Sequence, residues 1–131
     1  MKKTGILNRH ISKVVASMGH YQELLVCDAG FPTPQDVQTI DLALRAGLPS
    51  FLDVLEVLMQ ELAVEQYYLA RETSSCSPDI YEGVIRLLPN VRQVTIPHEE
   101  LKEKSNRARA CVRTGECTKY ANILLVSGVV F

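Results

Sequence analysis

Three histidines, at positions 10, 20 and 98, are the only side chains in this 131-residue chain whose ordinary titration lies near neutrality. His20 sits in the stretch Gly19-His20-Tyr21-Gln22-Glu23-Leu24-Leu25-Val26-Cys27-Asp28-Ala29-Gly30, which places an imidazole and a carboxylate at the two ends of one apolar run. An ionised Asp28 can accept two hydroxyl hydrogen bonds at once, and Ala29-Gly30 lets the backbone turn sharply behind it. His98 follows Pro97 where a helix should begin, and an imidazole there can donate from one nitrogen and accept at the other. Tyr120-Ala121-Asn122 adds a phenolic hydroxyl and a side-chain amide, both able to read the hydroxyls of a sugar-like molecule. Together these groups suit acid–base work on a small polar substrate. Each also has a plainer account. Asp28 can be a loop-capping acid, His20 a surface residue, His98 a surface helix end, and Tyr120 to Asn122 a turn before a strand. His10, between Arg9 and Lys13, reads as solvated.

Other chemistries lack their residues. No G-x-G-x-x-G, phosphate-binding loop or G-x-S-x-G elbow occurs, which argues against a dinucleotide, a triphosphate or an α/β-hydrolase serine. The four cysteines, at 27, 76, 111 and 117, form no C-x-x-C pair and have no histidine cluster beside them, so no zinc site is expected. Cys27 closes an apolar strand and reads as a small buried hydrophobe. The expectation is a site without cofactor or metal.

The elements that must position these groups follow from periodicity. Asn8 is an N-cap for a helix carrying Ile11, Val14, Val15 and Met18, with Gly19 as a left-handed stop. Glu23 to Cys27 is short, apolar and reads as a buried strand. Phe31-Pro32-Thr33-Pro34 is a stiff loop, and Thr39 to Leu44 a second strand. Ser50 caps a helix with Phe51, Val54, Leu55, Leu58, Met59 and Leu62 on one face. Val64 to Ala70 is a strand, Ser77-Pro78-Asp79 a helix start, Val91 to Ile96 a strand, and Pro97 opens a helix to about Asn106. Ala108 to Arg113 and Asn122 to Val130 complete the strands. The alternation predicts a single α/β domain over residues 1–131, with a mostly parallel sheet flanked by helices. In such sheets ligands sit outside the carboxyl ends of strands, where Asp28 falls.

Composition narrows the partners. Nearly half the residues are apolar (47%) and the net charge is -1, so a packed core is expected and no global positive field would draw nucleic acid or an anionic membrane. The basic stretch from Lys102 to Arg113 is interleaved with Glu99, Glu100, Glu103 and Glu116 and reads as a solvated mixed-charge face. The N-terminal apolar run ends at Leu7 and the tail from Ala121 to Phe131 is too short to span a bilayer. The reading is a soluble, cytoplasmic protein with reduced thiols.

Taken in order, Lys2-Lys-Thr-Gly-Ile-Leu-Asn-Arg-His10, Gly19-His20, Asp28-Ala29-Gly30, Pro32-x-Pro34, Gly47-Leu48-Pro49, Pro97-His98-Glu99-Glu100, Arg113-Thr114-Gly115-Glu116, Tyr120-Ala121-Asn122 and Gly128-Val-Val-Phe131 resemble the ribose pyranase and fucose mutarotase family over nearly the whole chain. The resemblance implies a cytoplasmic isomerase that interconverts the β-pyranose and β-furanose forms of D-ribose. It further implies a ring-based homo-oligomer, commonly a decamer, with sites in grooves between subunits. By the same resemblance His20 matches the proton donor, and Asp28, His98, Tyr120, Ala121 and Asn122 match the sugar-binding positions. Cys27, Phe31 and Lys119 depart from the commoner family pattern, which bears on fine substrate preference rather than on reaction class. Two alternatives stay open: a non-enzymatic sugar-binding accessory protein, and a mutarotase for another sugar such as fucose.

Overall fold

A computed structural model describes all residues, Met1–Phe131. Helix α1 (Arg9–Ser17) starts as expected, with the Asn8 side chain accepting hydrogen bonds from the N–H groups of His10 and Ile11. Its end differs from expectation. Met18 leaves the helix in an extended conformation, and the left-handed residue that turns the chain is Tyr21, at φ 65°, not Gly19. Strand β1 (Glu23–Cys27) follows, then a short β2 (Thr39–Asp41), which stops three residues before Leu44. The loop after β2 folds back on Thr114-Gly115, where Gly115 N–H donates to the Pro49 carbonyl. A side chain at 115 would collide with the Leu48 backbone, so this close approach requires glycine.

Helix α2 (Phe51–Met59) is capped by Ser50, whose hydroxyl accepts from Asp53 N–H. Strand β3 (Val64–Ala70) runs directly into a short helix, α3 (Arg71–Cys76), which the sequence reading did not assign. Helix α4 (Pro78–Leu87), strand β4 (Arg92–Ile96), helix α5 (His98–Ser105), strand β5 (Ala110–Arg113) and strand β6 (Ile123–Ser127) complete the chain. The last residues, 128–131, lie outside any strand.

The six strands form one sheet in the order β2-β5-β1-β6-β3-β4. Neighbours pair in parallel except for β6, which runs antiparallel to both β1 and β3. The sheet is thus mostly parallel, as predicted. The central strands β1 and β6 are buried on both faces, which is why Leu24 to Cys27 and Ile123 to Val126 read as unbroken apolar runs. One face buries Leu24, Val26, Val112, Ile123 and Leu125 against α1, α2 and α4; the other buries Leu25, Cys27, Cys111 and Leu124 against Leu101 of α5.

This topology places the site. The carboxyl ends of the five parallel strands all emerge at one end of the sheet. Because β6 is antiparallel, its beginning, just after Asn122, lies at that same end. His20, before β1, lies at the opposite end with the start of β3 and the end of β6.

Candidate functional site

Asp28 follows the last residue of β1, and Asn122 precedes the first residue of β6. The pairing of Val26 with Ile123 brings them side by side. They clasp reciprocally: Asp28 N–H donates to Asn122 Oδ1 at 2.9 Å, and Asn122 Nδ2 donates to Asp28 Oδ2 at 2.8 Å. Gly30 N–H donates to Asp28 Oδ1 at 2.9 Å. Both carboxylate oxygens are therefore oriented by the protein, and each keeps acceptor capacity for a ligand hydroxyl. Asn122 is only 1% exposed, and its amide fixes Asp28. Ala121 is wholly buried in the core and offers a ligand no side chain.

The loop behind Asp28 is held with similar care. Arg113 donates from Nε and Nη2 to the Ala29 carbonyl and forms an ion pair with Asp41 at 2.9 Å. Ala29 N–H donates to the Glu116 carbonyl, and the buried Thr114 hydroxyl donates to the Cys27 carbonyl. The Glu116 carboxylate gathers donors from Phe51 N–H, Cys117 N–H, Thr118 N–H and the Thr118 hydroxyl. Burial alone would push its titration up, but these hydrogen bonds, led by the Thr118 hydroxyl, outweigh it and hold the carboxyl below the ordinary glutamate value.

His98 opens α5 with its backbone N–H donating to Glu72 Oε2 of α3 at 3.1 Å. Its ring lies edge-on between Phe31 and Tyr120, with centroid distances of 5.9 and 5.1 Å. The Nδ1 atom of His98 is buried and has no hydrogen-bond partner within the chain. A buried polar atom without a partner is costly, and the residue that carries it lines an open recess. Tyr120 holds a left-handed backbone, φ 60°, unusual for a bulky residue. Its carbonyl accepts from the Thr73 hydroxyl at 2.8 Å, and the Lys119 carbonyl accepts from the Ser77 hydroxyl at 2.6 Å.

Asp28, Phe31, His98, Glu116, Lys119 and Tyr120 help line this recess, which measures about 480 Å³. That falls in the range of roughly 300–1,000 Å³ typical of small-molecule sites. A different recess, walled by Ile6, Leu7, Ile11, Val54, Val57 and Leu58, has a largely apolar lining and suits no polyol.

His20 is not in the recess. It lies at the far end of β1, about 16 Å of strand away at ~3.3 Å per residue. There its Nε2 sits 2.9 Å from Glu65 Oε2 and its ring stacks on Tyr21, with centroids 3.7 Å apart. Cys27 and Cys111 lie with sulfurs 3.5 Å apart inside the core. The hydrogen bond between them and burial push the Cys27 thiol up, well away from a nucleophile's range.

The sequence model of the RbsD / FucU transport protein family matches residues 1–130. The chain belongs to that family. A D-ribose pyranase of Symbiobacterium thermophilum is 55% identical over 131 residues, covering 100% of both chains. The structure of Bacillus subtilis RbsD complexed with D-ribose matches at a TM-score of 0.97 and 41% identity, again over 100% of both chains. At 22% identity, the fucose mutarotase of Streptococcus pneumoniae, in complex with L-fucose, shares the fold, with a TM-score of 0.76 over 95% of each chain.

Several residues that shape the recess carry no local signal in the sequence. Glu72, Thr73 and Ser77 hold His98, Tyr120 and Lys119 from beneath, yet Arg71-Glu-Thr-Ser-Ser-Cys76 has no apolar period to mark it as a helix. Arg113 and Glu116 stood in the family motif but read locally as part of a charged face; their partners are set by tertiary pairing.

Proposed function

We propose that this chain is a sugar isomerase, a D-ribose pyranase that interconverts the β-pyranose and β-furanose forms of D-ribose by acid–base ring opening. The observation that carries this is the end-to-end likeness, without gaps in coverage, to a D-ribose pyranase more than half identical in sequence. The recess fits the reading: an oriented carboxylate, a buried unpartnered imidazole nitrogen and aromatic edges suit a small polyol.

The reaction needs only proton transfers. Opening the pyranose places a proton on the ring oxygen, removes one from the anomeric hydroxyl and breaks the bond between the anomeric carbon and the ring oxygen, leaving an aldehyde. A different hydroxyl then attacks the aldehyde carbon and gives up its proton, and the carbonyl oxygen regains one. In our reading His20 donates the first proton and accepts the one released on re-closure, so it ends the cycle as it began. Asp28 anchors hydroxyls, His98 Nδ1 and Tyr120 complete the hydrogen-bond shell, Asn122 locks Asp28, and Ala121 carries Asn122 into place. One positioned acid–base group contributes about 10²- to 10⁴-fold, and confining the open chain beside its attacking hydroxyl adds to that.

In one subunit His20 and Asp28 are further apart than a pentose spans, so the reading requires that His20 of one copy closes the recess of the next. The proposal therefore includes a homo-oligomer, and we take it to be the ring-based decamer that the family resemblance implies. The exposed apolar tail, with Val130 at 91% and Phe131 at 100% exposure, lies at the His20 end and suits a subunit contact. The reading places this work in the cytoplasm, where four free thiols are at home; no helix is long and apolar enough to cross a membrane.

Saturation-transfer NMR on D-ribose tests the proposal. Added protein should accelerate exchange between ring forms, and His20→Ala should lose about 10²- to 10⁴-fold of that acceleration. Line broadening without faster exchange would instead mark a sugar-binding accessory protein. A larger acceleration for L-fucose than for D-ribose would mark a mutarotase of the other sugar.

A further inference from the structure

Strand β3 carries an irregularity at the end of the sheet where His20 lies. Val64 pairs with Ser127 and Gln66 with Val126, so Glu65 is an extra residue on β3 with no partner of its own across the ladder. Such a bulge kinks the strand and re-aims the side chain it carries. Here the side chain is aimed at His20, with Glu65 Oε2 2.9 Å from His20 Nε2. Gly128 lies against the same residue: a side chain at 128 would come within 3.1 Å of Glu65 Cβ. The opposite restraint comes from Tyr21. Its left-handed backbone turns its own N–H onto the Ser127 carbonyl at 2.9 Å and lays its ring on the imidazole at an angle of 20°. Glu65 and Tyr21 thus converge on one imidazole, with Gly128 close behind Glu65.

A stability role does not account for this convergence. Both side chains are more than a third exposed, 40% for His20 and 35% for Glu65, and ion pairs so exposed contribute little to folding. What the arrangement does fix is which nitrogen works. With Nε2 committed to Glu65, Nδ1 makes no hydrogen bond within the chain and is the nitrogen left free.

We infer that Glu65 is the positioning residue of the proton donor, holding His20 with its Nε2–H on the carboxylate so that Nδ1 alone exchanges protons with the sugar. The inference rests on the reading of His20 as donor. In the charged ring, Nε2–H donates to Glu65 and Nδ1–H donates to the ring oxygen. When that proton leaves, the neutral ring keeps Nε2–H, and the lone pair appears on Nδ1, facing the hydroxyl that must lose its proton to close the new ring. The same nitrogen therefore gives and retakes the proton with no rotation of the ring. Without the carboxylate, a neutral imidazole can place its proton on either nitrogen, and half of the cycle is misdirected.

The test compares Glu65→Ala, Glu65→Gln and His20→Ala in the D-ribose exchange assay, with ¹⁵N spectra of the imidazole rings. Glu65→Ala should slow ring exchange by about 10- to 100-fold, the loss usual when the carboxylate behind a metal-ligating histidine is removed, while ribose affinity stays close to that of the wild type. Glu65→Gln, which keeps an acceptor oxygen, should recover part of the rate. The neutral His20 ring should show the Nε2–H form in the wild type and a tautomer mixture in Glu65→Ala. A wild-type exchange rate in Glu65→Ala, a loss carried by weaker ribose binding, or an unchanged tautomer overturns the assignment. If His20→Ala itself exchanges ribose at the wild-type rate, the donor reading falls, and Glu65 falls with it; if only His20→Ala is slow, Glu65 alone is overturned.

Discussion

Asn122 shows how a residue can shape a site through its neighbour. Both ends of its amide bond Asp28, and the side chain is buried. In Asn122→Ala the Asp28 N–H and one carboxylate oxygen lose their partner together, and each buried polar group left unsatisfied costs about 1–3 kcal/mol. Urea denaturation should show a loss of that order, and ribose binding should weaken because the anchoring carboxylate is free to swing. Asn122→Asp should be worse for binding, since it sets a second carboxylate against the first. An Asn122→Ala protein with unchanged stability and ribose affinity would show that Asp28 is fixed by Gly30 alone. At this scale the sequence was informative about residue types and silent about their division of labour. Asp28 and Tyr120 were legible as polar groups at element ends, but that Asn122 serves Asp28, across a gap of 94 residues, follows only from the pairing of β1 with β6.

Among the elements, the strongly periodic ones were legible and the context-dependent ones were not. Strands β1 and β3 and helix α2 carry their signals in local composition, and their observed starts coincide with the expected ones. Helix α3 carries none: its formation depends on what Glu72 and Thr73 bond to. The end of α1 was misread because Gly19 is the customary stop, whereas the left-handed turn falls on Tyr21, where contact with His20 and the Ser127 carbonyl stabilises it. The loop between β5 and β6 gives a pH prediction. Glu116 is the hub of that loop, and its carboxyl titrates below the ordinary value of 4.5 in the folded protein. A depressed folded pKa means that the stabilisation is fully present above the unfolded value and is lost as pH falls through the folded one. Glu116→Gln should therefore be less stable than wild type at neutral pH, and the gap should narrow as pH falls through and below the ordinary glutamate value of 4.5. Urea denaturation across that window would check it; a gap that stays constant would show that the charge on Glu116 is immaterial.

For the whole molecule, the governing fact is that the antiparallel β6 joins two ends with different contents. One end holds the recess with Asp28, His98 and Tyr120; the other holds His20, Glu65 and the exposed tail. The alternation of strands and helices made the layered architecture readable, and the carboxyl-end rule put Asp28 at a ligand site. Local sequence could not reveal that the eight positions from His20 to Asp28 span the full height of the sheet, so that proximity in sequence means separation in space. The proposed reading brings the two residues together through a head-to-tail contact between copies, which makes a ring where its rotation closes. Subunit complementation tests it most directly. His20→Ala and Asp28→Asn chains should each be nearly inactive in D-ribose ring exchange. Unfolded together and reassembled, they should regain up to roughly a quarter of wild-type activity, the share of sites in which random neighbours supply an intact His20 and an intact Asp28. A mixed assembly no more active than its parents would contradict the account, because each site would then draw both residues from one chain.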